Sequence, residues 1–268
     1  MEDVKEIVRK KYARLAQINE ESCCGSPQDS KAEEVTFFSE DYTKKGGYVA
    51  DADLKLGCGM PTDFARIKPG QSVLDLGSGA GNDVFVARSL TGEKGEVFGI
   101  DFTEEMVSKA RTNKAKLGYE NVHFIQGDIE DMPIPSNSID IAVSNCVMNL
   151  VPNKPKAYSE VYRVLKPGGH FSISDIVIVG ELTEAVRNAA ALYAGCVSGA
   201  LQKDLYLDTI KAAGFKNLQL DKERLIELPD SLLIQHIDQS ELEAFRASKA
   251  SIYSINVYAE KPVAGNCC

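Results

Sequence analysis

Seven cysteines are the residues of this chain best suited to chemistry, and three of them lie where a ligand could be reached. Cys58 sits in the loop "GCGMP", where we expect no core face because the residues show no periodicity. Cys146 follows the apolar run "IAVSN", and Cys196 lies in "YAGCVSGA", on or after a predicted helix. Ligands of an open parallel sheet bind at the carboxyl ends of its strands. Thiols from these three segments could therefore converge on one ligand. The other cysteines form two adjacent pairs, Cys23 with Cys24 and Cys267 with Cys268.

The composition argues against nucleic acids and membranes as partners. The 268 residues carry a formal net charge of −9, so a phosphate backbone or an anionic membrane would repel the chain on average. No window approaches the ~18 consecutive apolar residues of a membrane span, and the charged N-terminus lacks a signal-peptide apolar stretch. We therefore expect a cytoplasmic protein, in which thiols stay reduced. A zinc site is disfavoured, because the sequence has no C-x-x-C and no nearby pair of histidines.

Strands and helices alternate from residue 72 onward. The predicted strands are 72–76, 95–102, 121–128, 138–145 and 170–179, with helices between them. This alternation predicts an α/β fold with a parallel sheet covered on both faces. Helices over 184–200 and 203–213 and two final strands follow, and an amphipathic helix over 3–18 precedes. We divide the chain into an N-terminal helix with cysteine-containing loops (1–60), a core (61–180) and a segment with the last helices and strands (181–268).

A glycine turn follows the first strand in "VLDLGSGAGND". The glycines are Gly77, Gly79 and Gly81, whereas a nicotinamide-binding fingerprint would need a glycine where the chain has Asn82. Asp75, at the end of the strand, would repel a pyrophosphate but would tolerate a cationic amino group. The turn therefore disfavours a nicotinamide-dependent oxidoreductase and favours a ligand that brings an amino group.

Two further acids predict a nucleoside in the same site. Asp101 ends the second strand, where a carboxylate hydrogen-bonds the ribose hydroxyls in doubly wound folds. Asp128 ends the third strand and could accept from the exocyclic amine of adenine, with Met106 and Ile129 on either side of the ring. A nucleoside that carries an amino acid instead of phosphates is S-adenosylmethionine. The neighbouring candidates for binding it are Asp75, Gly77, Ser78, Gly79, Asn82, Phe102, Gly127 and Asn145.

Residues 72–176, with "LKPGG" ahead of the fifth strand, resemble the class I S-adenosylmethionine-dependent methyltransferases. The resemblance implies a Rossmann-like, mostly parallel seven-stranded sheet with helices on both faces. It also implies an N-terminal arm and a substrate-binding insertion. The alternative is that Asp75 and Asp101 only cap helices.

The acceptor of the methyl group would need no general base. His123 and His170 lie near the starting ends of their predicted strands, and His236 lies in a late charged segment, so none is expected near the methyl group. A nucleophile with its own lone pair removes the need for a base. Trivalent arsenic is such a nucleophile, and as a soft atom it prefers sulfur ligands. Bound by three sulfurs it is pyramidal, with its lone pair directed away from them.

Five stretches resemble the microbial arsenite methyltransferases: "ESCCGS", "DLKLGCGMP", "VLDLGSGAGND", "SNCVMNLVPNK" and "AGCVSGAL". The resemblance covers roughly residues 1–215. It implies that Cys58, Cys146 and Cys196 are the arsenic(III) ligands and that Cys23 or Cys24 assists exchange and turnover. A disulfide between one of that pair and Cys58 would return arsenic to the trivalent state. Thioredoxin or glutathione would then reduce the disulfide.

Several alternatives remain open at the level of sequence. Longer relatives carry an extra C-terminal domain, whereas this chain ends soon after its last strand with Cys267 and Cys268, so the number of methyl groups transferred is not fixed. The same fold could methylate a quinone-like, sterol or other carbon or oxygen acceptor, with the cysteines as packing residues. A non-catalytic arsenite-binding protein would use the same thiols without giving a methylated product.

For an arsenite methyltransferase, the expected role is arsenic detoxification, with arsenite and methylarsenite as substrates.

Overall fold

The computed structural model describes residues 4–21, 39–193, 197 and 199–263. Within these residues, seven strands form one sheet in the order β3-β2-β1-β4-β5-β7-β6. The strands are β1 (Ser72–Leu76), β2 (Glu96–Asp101), β3 (Val122–Gln126), β4 (Ile139–Asn145), β5 (Leu165–Val179), β6 (Lys216–Ile226) and β7 (Ser251–Glu260). The first five run parallel, whereas β7 is antiparallel to both β5 and β6. The predicted mostly parallel sheet of seven strands is confirmed.

Helices connect the strands. They are α1 (Val4–Glu21), α2 (Pro61–Phe64), α3 (Asn82–Thr91), α4 (Glu104–Leu117), α5 (Lys154–Val164), α6 (Glu184–Tyr193), α7 (Lys203–Ala212), α8 (Asp230–Leu233) and α9 (Gln239–Ala247). Because β1 lies between β2 and β4, the chain leaves β1 toward one side of the sheet and later returns to its other side. Ligands of open α/β sheets bind at such a switch point, beyond the carboxyl ends of the strands.

The structure differs from the sequence prediction at the start of the fifth strand and between the last two strands. The fifth strand begins at Leu165 rather than at residue 170, because Leu165 already pairs with Ile139 of β4. The "KPGG" segment then forms a local irregularity, with Gly168 at a positive φ of 81°, before His170 resumes the pairing. Helices α8 and α9 were not predicted between the last two strands. The sequence did contain a local signal for the start of α9, because Asp238 and Glu241 form a reciprocal capping box there.

The largest core cluster joins β5 to the helices on one face of the sheet. Phe171 lies 4.8 Å from Phe215 and 6.0 Å from Tyr158 between ring centroids, and Tyr158 meets Tyr206 edge to face. All four side chains are at most 1% exposed. Edge-to-face aromatic pairs stabilise a core beyond the area that they bury. This cluster fixes α5 and α7 against the strand that also carries Asp175.

No helix among the described residues is both long and apolar enough to cross a membrane.

Replacing Phe171 with alanine is expected to lower the free energy of unfolding by about 3–5 kcal/mol, because it removes the centre of the aromatic cluster and leaves a cavity. Chemical denaturation measures the loss. Leu205→Ala on α7 is the matched control: Leu205 is 55% exposed, so we expect a change within about 0.5 kcal/mol. A similar loss for both variants would show that the cluster does not organise the core.

Candidate functional site

A pocket opens at the carboxyl ends of β1 to β4. Its lining contains every residue that the sequence suggested for cofactor binding: Asp75, Gly77, Ser78, Gly79, Asn82, Asp101, Phe102, Met106, Gly127, Asp128, Ile129 and Asn145. Cys146 lines it as well. Residues far apart in sequence meet here because parallel strands end at the same edge of the sheet.

The glycine turn forms the floor of the pocket. Gly77, Gly79 and Gly81 have φ values of 68°, 50° and 100°, which favour glycine because other residues are strained there. A side chain at Gly81 would also come within 2.8 Å of the Phe124 ring. Asp101 holds the turn in place by accepting hydrogen bonds from Gly79 N and Thr103 N, each at 2.9 Å. Asp101 therefore stabilises the turn and also faces the pocket.

Three buried acids, Asp75, Asp83 and Asp101, line the pocket. Burial and the neighbouring Asp83 and Asp101 raise the pKa of Asp75 well above its usual value. Burial raises the pKa of Asp83 to about 6, although hydrogen bonds from Asn145 and Tyr42 oppose the shift. Burial also raises the pKa of Asp101. A cationic ligand would favour the ionised carboxylates and so offset the cost of burying them.

Two polar atoms in the pocket suit a polar ligand. Among the described residues, Ser78 Oγ and Asn82 Oδ1 are buried and have no hydrogen-bond partner. Both residues line the pocket. Buried polar groups without partners are rare in folded proteins, because each costs about 1–3 kcal/mol. These residues therefore fit a bound group that carries hydroxyl and amino functions.

Helix α1 forms one side of the pocket, which the sequence analysis missed. Lys5 Nζ contacts Asp128 Oδ2 at 2.6 Å and Glu130 Oε2 at 3.0 Å, and Val8 and Tyr12 also line the pocket. Asp128, suggested as an acceptor for adenine, is thus also an ion-pair partner. The amphipathic pattern of α1 predicted a buried face but did not indicate what covers it.

The loop that carries Cys58 is held by the side chain of Asn145. Asn145 Oδ1 accepts from Cys58 N at 3.0 Å and Gly59 N at 3.3 Å, and its Nδ2 donates to Gly59 O at 2.8 Å. Ser254 Oγ donates to Cys58 O at 2.7 Å. A side chain at Gly57 would lie within 2.5 Å of the Asn145 amide. This contact explains one of the two glycines that flank Cys58.

The expectation that Cys58 has no core face is wrong. Its side chain is 0% exposed and packs with Cys146 and Ile176 in an apolar cluster. A buried loop is normally unfavourable because its backbone polar groups lose water. Here the side chains of Asn145 and Ser254 replace that water, so a segment without periodicity can enter the core.

Cys146 occupies a strained position at the end of β4. Its φ of 63° lies in the left-handed region, which residues other than glycine seldom adopt. Its N–H donates to Ser174 O at 2.8 Å, which continues the pairing between β4 and β5. Strained backbone of this kind persists where surrounding contacts enforce it, often at functional sites.

The thiols of Cys58 and Cys146, two of the three suggested arsenic ligands, lie close together, and the carboxyl group of Asp175 lies beside them. One ligand atom each from Cys58, Cys146 and Asp175 lies within 4.8 Å of the others, and all three side chains are buried. The remaining suggested residues, Cys196, Cys23 and Cys24, lie outside the described residues, as do Cys267 and Cys268. Asp175 was missed because an acid inside the apolar run "FSISDIVIV" carries no local sign of its neighbours.

Asp175 lies within β5 and is 0% exposed. Its Oδ1 accepts from Ile176 N at 2.9 Å, and its Oδ2 accepts from the Tyr206 hydroxyl at 3.3 Å. Burial raises its pKa to about 7, although these hydrogen bonds and the charge of Lys154 oppose the shift. An acid buried between two thiols does not contribute to packing as an apolar residue would, so its position suggests a role in the site.

Comparison with known proteins links this geometry to methyl transfer. Residues 67–214 match a family model described as a methyltransferase domain. The chain is 40% identical over 231 residues to the arsenite methyltransferase of Halobacterium salinarum, a match that covers 82% of this chain and 59% of that protein. It is 46% identical over 159 residues to the arsenite methyltransferase of Mus musculus, covering 56% and 42%.

A solved structure extends the similarity to nearly the whole chain. The arsenic(III) S-adenosylmethionine methyltransferase from Chlamydomonas reinhardtii superposes with a TM-score of 0.63 and 30% identity, covering 95% of this chain and 74% of that one. This chain spans about three fifths or less of the length of the two curated relatives.

The buried carboxyl of Asp175 predicts a pH-dependent cost to folding. Its pKa is about 7 in the folded protein against an ordinary value of 3.8, so the folded state holds the proton more tightly than the unfolded state does. The free energy of unfolding therefore falls as the pH rises from about 4 to about 7. Asp175→Asn carries no charge and avoids this loss. Relative to the parent, the variant should gain up to about 4 kcal/mol across that range, measured by urea denaturation.

The exposed acid Asp208 on α7 provides the matched control. Asp208→Asn should change stability by less than about 1 kcal/mol at every pH, because exposed ion pairs contribute little. A stability difference between Asp175→Asn and the parent that stays constant with pH would contradict the raised pKa.

Proposed function

The chain belongs to the family of arsenite S-adenosylmethionine methyltransferases, and we propose that it transfers methyl groups from S-adenosylmethionine to trivalent arsenic held by cysteine thiolates. One observation carries the proposal: two buried thiols from separate segments lie within 4.8 Å of each other and of Asp175. Cys146 also borders the pocket that suits a cationic nucleoside. Soft thiolate ligands suit arsenic, and arsenic brings its own lone pair.

The residues of the pocket suit the methyl donor. S-adenosylmethionine, when bound, supplies an electrophilic methyl group. Asp101 would accept from the ribose hydroxyls, since a carboxylate has acceptor positions beyond those used by Gly79 N and Thr103 N. The glycine turn allows close approach, and the acids beside it favour positive charge. Asp128 remains our candidate acceptor for the adenine amine, with Met106 and Ile129 beside the ring.

The cysteines would hold and orient the acceptor. In this proposal Cys58, Cys146 and Cys196 bind arsenite and direct its lone pair toward the methyl group, and such positioning can contribute about 7–11 kcal/mol to lowering a barrier. Methylation formally removes two electrons from arsenic. Cys23 or Cys24 would restore the trivalent state by forming a disulfide with Cys58. Thioredoxin or glutathione, as thiol reductant, would then reset the pair.

The physiological part of the proposal is arsenic detoxification in the cytoplasm. A reducing compartment would keep the site thiols available for arsenic. The negative net charge is compatible with neutral arsenite and a cationic methyl donor, whereas it disfavours polyanionic partners.

Mass spectrometry of the products tests the function directly. Protein, S-adenosylmethionine, a thiol reductant and arsenite should give methylated arsenic, with formation of S-adenosylhomocysteine dependent on arsenite. Cys146→Ser should lower the rate of every methylation step by about 100-fold or more, because the acceptor loses its position. Cys58→Ser should slow the first step most, since a monomethylated species needs only two thiolates.

The control replaces both Cys267 and Cys268 with serine, because neither residue binds arsenic or the methyl donor in this proposal, and it should keep the rate within about twofold. Donor consumption that is unchanged by arsenite would sink the proposal and favour a carbon or oxygen acceptor. Arsenite binding without any methylated product would favour a binding protein instead.

Removing the Asp101 carboxylate should weaken binding of the methyl donor. Asp101→Ala is expected to raise the dissociation constant of S-adenosylmethionine about 10-fold or more, because a hydrogen bond to a charged group contributes about 1.5–3 kcal/mol. Isothermal titration calorimetry measures the change. Asp51→Ala, which removes an exposed acid on the surface, should stay within about twofold of the parent. An unchanged affinity for Asp101→Ala would mean that Asp101 serves only the turn.

A further inference from the structure

We propose that Asp175 is a substrate-binding residue that accepts a hydrogen bond from the last hydroxyl group of arsenite once Cys58 and Cys146 have bound the arsenic atom. The inference rests on the proposed function and deepens it, because it assigns a residue that selects inorganic arsenite over its methylated products. No feature of the sequence pointed to this residue.

The geometry favours a hydroxyl group between the carboxyl and the arsenic. The carboxylate oxygen and the two sulfurs lie within 4.8 Å of one another. An O–H···O hydrogen bond spans about 2.7 Å. An arsenic atom bonded to both sulfurs would therefore have room to place its remaining hydroxyl against Asp175. The three groups come from the loop before α2, the end of β4 and the middle of β5, so this arrangement depends on the whole fold.

Because the site is buried, a hydrogen bond from the arsenite hydroxyl group to Asp175 would stabilise the complex. Cys58 and Asp175 are 0% exposed and Cys146 is 3% exposed, so a hydroxyl group brought between them leaves water behind. A buried hydroxyl without a partner is costly. Asp175 keeps capacity to serve it, because a carboxylate has about four acceptor positions. Ile176 N and the Tyr206 hydroxyl use part of that capacity and fix the orientation of the carboxyl.

The binding step balances without an oxidant or a reductant. Arsenite, As(OH)₃, reacts with two thiols to give a dithiolate hydroxide and two molecules of water. Two As–O bonds break and two As–S bonds form, each thiol proton leaves in a water molecule, and arsenic stays trivalent. One hydroxyl group remains on arsenic, and in this proposal it donates to Asp175 until a third thiolate displaces it.

Methylated arsenic cannot make this contact. Methylarsonous acid, CH₃As(OH)₂, loses both hydroxyl groups when two thiols bind, so nothing is left to donate to Asp175. A residue that serves only the fold would affect both substrates alike, whereas a hydroxyl acceptor should affect arsenite alone. The two substrates therefore separate the two roles within a single variant.

The test measures binding of both arsenicals, without methyl donor, by equilibrium dialysis followed by elemental mass spectrometry. The protein carries Cys196→Ser, so that this third thiolate cannot displace the hydroxyl group, and Cys196→Ser alone is the reference for both arsenicals. Asp175→Ala should weaken binding of arsenite about tenfold or more, the effect of losing one hydrogen bond to a carboxylate. Binding of methylarsonous acid should stay within about twofold. Asp175→Asn keeps one carbonyl oxygen and should recover part of the affinity for arsenite.

The outcomes distinguish this inference from the proposed function. Equal losses for both arsenicals, or no loss for arsenite, would overturn the role of Asp175 and leave methylation untouched. If Asp175→Ala does not fold, Asp175→Asn decides alone, and an arsenite affinity at or above that of the Cys196→Ser reference would overturn the inference. Failure of the parent protein to produce methylated arsenic in the product assay would instead defeat the proposed function.

Discussion

The arrangement of the thiols depends on the hydrogen bonds between the side-chain amide of Asn145 and the backbone of the Cys58 turn. The amide satisfies the backbone of the Cys58 turn from both sides, accepting from Cys58 N and donating to Gly59 O. Without these bonds the turn would bury polar groups with no partners, which costs more than the apolar burial of one thiol returns. Because Asn145 is the last residue of β4, the same strand end that carries Cys146 also fixes Cys58.

The Asn145 side chain also links the pocket to the loop that carries Cys58. Asn145 Nδ2 lies 3.1 Å from Asp83 Oδ2, and the Tyr42 hydroxyl donates to Asp83 Oδ1 at 2.8 Å. Asp83 lies in the first turn of α3, the helix that follows the glycine turn. A single buried network therefore runs from the pocket to the Cys58 turn. Asn145 was suggested as a cofactor ligand; it lines the pocket, and its hydrogen bonds also hold the Cys58 turn in position. We infer that this network fixes the position of a ligand in the pocket relative to an atom bound by the thiols.

The parts of the site that could be predicted are those set by local sequence. The glycine turn and Asp101 followed from their spacing along one β–α–β unit, and the parallel strands then brought Asp128 to the same edge. The burial of Cys58, the position of Asp175 and the contact of Lys5 with Asp128 depend on residues more than a hundred positions apart. Such contacts have no periodicity, so a single sequence shows the residue types but not their partners. The fold was predictable because alternating strands and helices permit few topologies.

Arsenic K-edge X-ray absorption of the arsenite-loaded protein, recorded without methyl donor, tests the central claim most directly. We predict an arsenic shell with at least two sulfur neighbours, and the loss of one sulfur in Cys58→Ser and in Cys146→Ser. A shell made only of oxygen, or a sulfur count that neither substitution changes, would contradict the claim that these two buried thiols hold the acceptor together.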